Sequence, residues 1–373
     1  MDKFLPLDLP PGLYKQGTKY QAKGRWADGN LIRFTGKTVR PIGGWVPLLG
    51  VDGQELNAVT GVPRGVLVWS KADGNYNIAI GTTSTLNVID GGVLYDITPS
   101  GFTTGGEDAV IVGVGLGVYG DGFYGAGPYG SGGSGTEQTT RPGVWQMDTF
   151  GEWLVAVATQ DHGLYVWTES TTLDATSIEG APDCDAVVTT PERFIFALGA
   201  GDPDSADMTI RDVRRVAWCS QEDPNDWVST DENSAGNFKL PTNGKLLCGR
   251  RARAQTLLWT TADMWIASYI GQPFIYRFDL AGMNCGAISG QSPVVVDTVA
   301  FWMSDNNFFQ YDGFVKPLNC EVHDFVFTAV PGVAGTGINR SQAGKCWGMS
   351  ISQFGEVWWF YPSSDSDEVN RYI

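Results

Sequence analysis

Short runs of alternating apolar and polar residues dominate the chain after residue 50. A period of two is typical of half-buried β-strands, and these runs are rich in aromatic and β-branched residues. The clearest group comprises GVLVWS (65–70), YNIAIG (76–81), TLNVID (85–90) and VLYDIT (93–98). Glycines stand between these runs and supply the positive φ angles that tight hairpins need. The pattern predicts a four-stranded antiparallel meander over residues 65–98.

Similar groups of strands recur along the chain, beginning near residues 144, 186, 245, 293 and 344. Without the insert at 101–140, residues 51–373 number 283, so six units average about 47 residues each. Short antiparallel strands repeating every 40–50 residues are typical of β-propeller blades, in which each sheet buries its faces against its neighbours. The sequence therefore predicts an all-β, β-propeller-like body of about six blades over 51–373. A pair of β-sandwiches is the alternative.

Tryptophans in the middle of these strands are expected to fill the layers between blades; they are Trp69, Trp167, Trp218, Trp259, Trp302 and Trp347. The run VNRYI (369–373) stops in the middle of a strand. We expect either that an early strand completes the last blade or that the natural chain continues.

Charge divides the chain into two parts. Residues 1–50 hold eight basic and three acidic side chains, a net charge of +5, whereas the remainder holds 17 basic and 38 acidic ones, a net charge of −21. Segment 1–50 does not fit the repeat, and we interpret it as a basic arm or linker. An acidic body disfavours binding of nucleic acid through phosphate neutralisation. It suits either simple solubility or a surface that DNA passes without adhering.

The insert at 101–140 is rich in glycine and carries its aromatic residues in VYG, FYG and PYG. Such a long loop within a compact domain is usually functional or a flexible linker. The alternative to a flexible linker is a mobile loop that packs against other subunits in an assembly or lines a channel. The candidate residues are Tyr119, Phe123, Tyr124 and Tyr129.

Motifs that would indicate catalysis or metal binding are few. The six cysteines form no C-x-x-C pair, and the chain has two histidines, so we predict no metal site. His162 falls in a predicted hairpin turn. His323 falls in the alternating, strand-like run CEVHDFVF (320–327), where a half-buried, hydrogen-bonded histidine is expected. The acidic stretches at 201–207, 220–227 and 363–368 are interpreted as turns. No catalytic residue is predicted.

No secretory signal and no membrane-spanning run is visible in the sequence, so folding in a reducing cytoplasm is expected. The cysteines recur at intervals of 26–37 residues, which favours small apolar positions in a structural repeat over disulfides.

Several motifs, in the same order, resemble a family of short-tailed bacteriophage tail proteins. They are GRWADGNLIRF (24–34) with GGW (43–45), RVAWCSQEDPNDW (215–227) with NSAGNFKLP (233–241), TLLWTTADMWIASYIGQPFIYRF (256–278), VAFWMSDNNFFQYDGFVKPLNCEVHDFVF (299–327) and GAGPYG (125–130). The resemblance covers most of residues 12–330. It is to the tail-nozzle proteins (tail tubular protein B-like) and, more distantly, to packaged-DNA stabilisation proteins.

This resemblance implies a virion structural protein without enzymatic activity or cofactor. It implies a cyclic ring, most simply a hexamer, below the portal and adaptor, in contact with tail-fibre or tail-tip proteins and traversed by double-stranded DNA. The protein would assemble in the host cytoplasm and lie in the virion tail. Candidate interface residues are Arg25, Trp26, Arg33, Arg40 and Trp45. Two alternatives stay open, namely a glycan-binding tail-tip propeller and a propeller hydrolase.

Overall fold

The part of the chain that the structure describes folds into a β-propeller of six antiparallel blades with almost no helix. A computed structural model describes residues 9–17, 20–44, 46–109 and 142–373, with the backbone of two short strands at 111–113 and 137–139. The prediction of an all-β propeller with about six blades is therefore confirmed. The β-sandwich alternative is wrong, because six separate sheets follow one another along the chain.

The strands of the first three blades follow one another in sequence order within each sheet. Blade 1 comprises β3 (Pro63–Ser70), β4 (Tyr76–Thr82), β5 (Leu86–Asp90) and β6 (Val93–Asp96). Blade 2 comprises β9 (Trp145–Phe150), β10 (Trp153–Ala158), β11 (Leu164–Trp167) and β12 (Thr176–Ser177). Blade 3 comprises β13 (Ala186–Thr189), β14 (Ile195–Leu198), β15 (Arg215–Trp218) and β16 (Gly236–Lys239).

The last three blades follow the same pattern, except that the sixth has three strands. Blade 4 comprises β17 (Leu246–Ala252), β18 (Gln255–Thr260), β19 (Asp263–Gly271) and β20 (Ile275–Met283). Blade 5 comprises β21 (Val294–Val296), β22 (Val299–Met303), β23 (Phe308–Tyr311) and β24 (Val315–Pro317). Blade 6 comprises β25 (Trp347–Ile351), β26 (Glu356–Tyr361) and β27 (Arg371–Tyr372).

Among the described residues, two short hairpins and two short helices lie outside the blades. The arm contains β1 (Ile32–Thr35) and β2 (Thr38–Pro41), and β7 (Ile111–Gly113) pairs with β8 (Glu137–Thr139) within the insert. An α-helix, α1 (His323–Phe327), and a 3₁₀ helix (Arg340–Lys345) precede blade 6. The prediction of a strand at 320–327 is therefore wrong, since the last five residues of this run form α1.

The core lies between successive blades, where alternate residues of adjacent sheets face each other. Five clusters of buried apolar side chains join blade 1 to 2, 2 to 3, 3 to 4, 4 to 5 and 5 to 6. Trp69, Trp167, Trp218, Trp259 and Trp302 are buried in these layers, as predicted from their mid-strand positions. Trp347 is the exception, because it stacks on Phe360 with ring centroids 4.1 Å apart while Trp359 faces blade 5.

The junction of the last blade with the first differs from the others. Among the described residues, no comparable apolar cluster joins blade 6 to blade 1. Polar contacts join these two blades instead, since Arg64 of β3 donates to Glu368, which lies between β26 and β27, at 2.7 Å. Within the described chain, β27 pairs with β26 and no N-terminal strand enters this sheet, so an early strand does not complete the last blade.

Candidate functional site

The basic arm lies on its own chain, against α1 and blade 6. Arg25 pairs with Glu321, whereas Arg33 Nε lies 2.8 Å from Glu356 Oε1. The Arg33 guanidinium also stacks 3.5 Å from the centre of the Phe354 ring. Trp26 is half-buried and packs near Phe34, with ring centroids 6.2 Å apart. Three of the five predicted interface residues thus have intramolecular partners.

The other predicted residues are differently placed. Arg40 is exposed, opposite Arg33 in the β1–β2 hairpin. Trp45 and the four aromatic candidates of the insert, Tyr119, Phe123, Tyr124 and Tyr129, lie outside the described residues. Their predicted role in assembly stays a prediction.

His162 lies in the turn between β10 and β11, as predicted, with φ +68°. Its Nδ1 lies 3.1 Å from Asp185 Oδ1, and Arg211 also pairs with Asp185. On the other side of the turn, the Tyr165 hydroxyl donates to Asp161. Sequence reasoning missed this cluster, because its members come from two blades.

Burial raises the pKa of several groups around His162. Burial, with the hydrogen bond to Asp161, raises the pKa of Tyr165, and burial raises the pKa of the adjacent Cys184 thiol, so both stay protonated near neutral pH. Burial also raises the pKa of Asp183, although His162 and Arg211 oppose that shift. Within the described part of the chain, no group of three His, Cys, Asp or Glu residues could hold a metal ion. The cluster joins blade 2 to blade 3.

His323 is half-buried at the start of α1, and its Nε2 lies 2.8 Å from the carbonyl oxygen of Asn306. The expectation of a hydrogen-bonded, half-buried histidine is confirmed. The residue ties α1 to blade 5 and shows no catalytic partner beyond the adjacent Asp324.

A groove of about 610 Å³ lies on the rim between blades 3 and 4. The tip of the long β19–β20 hairpin forms one wall through Ile270 and Phe274, and Phe238 of β16 stands on the other side. Phe238 stacks on Phe278 with ring centroids 5.0 Å apart and an interplanar angle of 2°. Trp218 lies beneath Gly236, where an added Cβ would come within 2.7 Å of the indole. We call this concavity the aromatic groove.

The polar groups around the groove are engaged with one another. Asp204 accepts hydrogen bonds from the Ser229 backbone (2.9 Å) and the Asn237 side chain (3.0 Å). Arg215 in turn donates to Asn237 Oδ1 at 3.0 Å. The groove therefore offers mainly apolar surface to an occupant. Its walls come from residues about 40 positions apart, which no local pattern in the sequence connects.

A second exposed apolar surface lies where the arm meets blade 1. Val46, Leu48, Leu49 and Val51 are all exposed. The Gly50 N–H donates to the Gln54 carbonyl (2.8 Å), and the Val51 N–H to the Gly92 carbonyl (3.4 Å). We call residues 46–51 the apolar loop; its own hydrogen bonds and blade 1 shape it before any partner binds.

Comparison with known proteins identifies no family. No family model and no curated protein matches the chain. Among solved structures, a catalytically inactive variant of virginiamycin B lyase from Staphylococcus aureus is similar at 8% identity, with a TM-score of 0.41, over 86% of this chain and 87% of that one. An extracellular domain of a one-component system of B. thetaiotaomicron is similar at 14% identity, with a TM-score of 0.38, over 82% and 38% of the two chains.

Proposed function

We propose that this chain is a structural subunit of a short-tailed phage virion, forming a ring of the tail that closes the head and conducts the genome during ejection. The motifs at 24–34, 215–227 and 256–278 carry the resemblance that motivates the proposal. Its partners would be copies of itself, the adaptor and portal on one side, and fibre or tail-tip proteins on the other.

The observation that supports an assembly role best is the presence of two separate exposed apolar surfaces. The apolar loop and the aromatic groove lie on different blades, and both expose large apolar side chains. Contiguous exposed apolar surface on a soluble chain indicates contact with another macromolecule. Two such surfaces at different places suit a subunit that contacts a neighbour on each side.

Charge supports the conduit role. The chain outside residues 1–50 has a net charge of −21, and the basic residues Arg25 and Arg33 of the arm are paired with carboxylates. A DNA-facing surface made of such residues would repel phosphates rather than retain them.

The two alternatives receive less support from the geometry. A glycan site needs free polar groups beside its aromatic rings, but Asp204 and Asn237 are hydrogen-bonded within the protein. A hydrolase needs a nucleophile or a pair of free carboxylates, whereas Asp185 near His162 is engaged by Arg211.

The proposal is tested by measuring the mass of the purified protein by light scattering over a range of concentrations, with electron microscopy of the particles. We expect closed rings, most simply of six copies. A protein that stays monomeric at high concentration, alone and with portal–adaptor particles, would overturn the proposal. Binding of host polysaccharide by this monomer would instead favour the glycan-binding alternative.

A further inference from the structure

We infer that the aromatic groove between blades 3 and 4 is the receptor for the apolar loop of a neighbouring copy of the same chain. This inference rests on the proposed assembly role and specifies which surfaces would make the contact. Four observations carry it: the exposure of the loop, the shape of the groove, the charges beside each, and their positions around the propeller.

The apolar loop presents large side chains that its own molecule does not cover. Val46 is 87% exposed and Val51 78%, and both Leu48 and Leu49 are 54% exposed. The Gly53 N–H donates to the Gly50 carbonyl at 3.0 Å, so the loop holds a defined turn. A surface ordered before binding loses less conformational entropy when it docks.

The groove presents the matching apolar surface. Phe274 at the hairpin tip is 73% exposed, Ile270 49% and Phe238 42%. Its volume of about 610 Å³ is sufficient for several aliphatic side chains and falls in the range of ligand-binding sites, roughly 300–1,000 Å³. Because the nearby Asp204 and Asn237 are hydrogen-bonded within the protein, an apolar peptide segment suits the groove better than a polar ligand.

Charges on the two surfaces are complementary in one orientation. The connection between β15 and β16 exposes Asp231 and Glu232 on the blade 3 side, whereas Arg277 on the blade 4 side pairs with Asp279 at 2.7 Å. The arm exposes Arg40 before the apolar loop, and the loop is followed by exposed carboxylates at Asp52 and Glu55. Placing Arg40 near Asp231 and Glu232 would bring opposite charges together, and the opposite orientation would place Asp52 and Glu55 against those acidic residues, so one orientation is favoured.

The positions of the two surfaces exclude filling of the groove by the loop of the same molecule. The Val51 N–H donates a hydrogen bond to the Gly92 carbonyl of blade 1. The groove lies between blades 3 and 4, on the opposite side of the ring of six blades. Different patches on the two partners make a heterologous, head-to-tail contact. Such a contact generates a closed ring when the rotation between copies returns to its start.

Two variants test the contact from either side. Leu48→Asp with Leu49→Asp places charge in the loop, and Phe238→Asp with Phe274→Asp places charge in the groove. The loss of the apolar contact of each leucine should raise the dissociation constant roughly tenfold or more. We expect each double variant to be monomeric at concentrations where the unaltered protein forms rings. Phe314→Asp is the matched control, because Phe314 is 75% exposed and lies in blade 5, away from both surfaces.

Mixing the two double variants provides the decisive measurement. One variant keeps an intact groove and the other an intact loop, so a one-to-one mixture can form a single contact and should yield heterodimers without larger particles. Circular dichroism verifies that each variant is folded. Rings that persist in both double variants, or a mixture that stays monomeric, would overturn the inference and leave the assembly role standing.

A second measurement tests the contact between loop and groove separately from the assembly role. It can be made even if the unaltered protein is monomeric, a result that would contradict the assembly role. A labelled peptide of residues 46–56 is titrated into the loop variant and into the groove variant, and its fluorescence anisotropy is recorded. Binding to the loop variant and at least tenfold weaker binding to the groove variant would support the inference. Equal binding to both, or none to either, would refute it.

Discussion

Arg64 and Glu368 stand 304 positions apart and form an ion pair with a separation of 2.7 Å across the junction between the first and last blades. Glu368 also accepts from Lys345 at 2.9 Å, and Lys345 reaches Asp108 at 2.5 Å. The Lys345 side chain is fully buried. The other blade junctions described above are closed by apolar layers, so this ionic network has a distinct role in holding the ring shut.

Replacing Lys345 with methionine should open this junction. The change removes three charge-assisted hydrogen bonds while keeping the length of the buried side chain. We expect a loss of about 1–3 kcal/mol in the free energy of unfolding, measured by chemical denaturation. Lys316→Met is the control, because its ion pair with Asp312 is exposed and should contribute little. Equal losses in both variants would contradict a special role for Lys345.

The same network should make stability depend on pH. Burial opposes the shift, but the hydrogen bonds from Arg64 and Lys345 lower the pKa of Glu368 below its ordinary 4.5. A lowered folded-state pKa stabilises the fold fully above 4.5, and this contribution is lost as the pH falls through the folded-state value. The difference in melting temperature between the unaltered protein and Glu368→Gln should therefore be largest near neutral pH and shrink in acid. A difference that grows on acidification would contradict this assignment.

Gly81 allows blades 1 and 2 to approach. An added Cβ at this position would clash with the indole of Trp145, which donates to the Thr82 carbonyl at 2.7 Å. Gly81→Ala should cost about 1–3 kcal/mol in the free energy of unfolding through overpacking. Gly44→Ala is the control, since an added Cβ there meets nothing within 4 Å. The result is read from urea unfolding curves, and unchanged stability of Gly81→Ala would show that the layer relaxes easily.

The arm should detach from blade 6 when Arg33 is reversed to Glu. The substitution breaks the ion pair with Glu356 and the contact with Phe354, and places a carboxylate against another. Cleavage of the arm by a protease should become roughly tenfold faster, because it follows the population of the open state. Arg40→Glu serves as the control, since Arg40 is exposed. Equal cleavage of both variants would mean that Arg33 does not hold the arm.

Binding to duplex DNA should be weak near physiological salt. The chain beyond residue 50 carries a net charge of −21, and each phosphate contact would require a Lys or Arg. Any residual binding should depend on residues 1–50 and fall with salt, with a slope of roughly 0.9 per contact. A salt titration with a long duplex, with and without the arm, measures this. Sub-micromolar binding that is independent of the arm would contradict a conduit that releases its genome.

The sequence by itself determined the fold class and the blade boundaries. Alternation and turn residues are local, and each blade pairs strands that follow one another along the chain. Runs such as TLLWTT (256–261) therefore predicted both a strand and the burial of Trp259. The local pattern did not predict the position of Trp347, which stacks on Phe360, or the helix at 323–327. Packing around the last blade determines both features.

Only the tertiary structure decided which charges and rings meet. The sequence marks Arg25 and Arg33 as basic, but their carboxylates lie 296 and 323 positions away. The stack of Phe238 on Phe278 and the ion pair of Arg64 with Glu368 likewise depend on how blades are placed around the ring. Side chains from distant strands meet because the blades pack against one another, and periodicity within a strand carries no information about that contact.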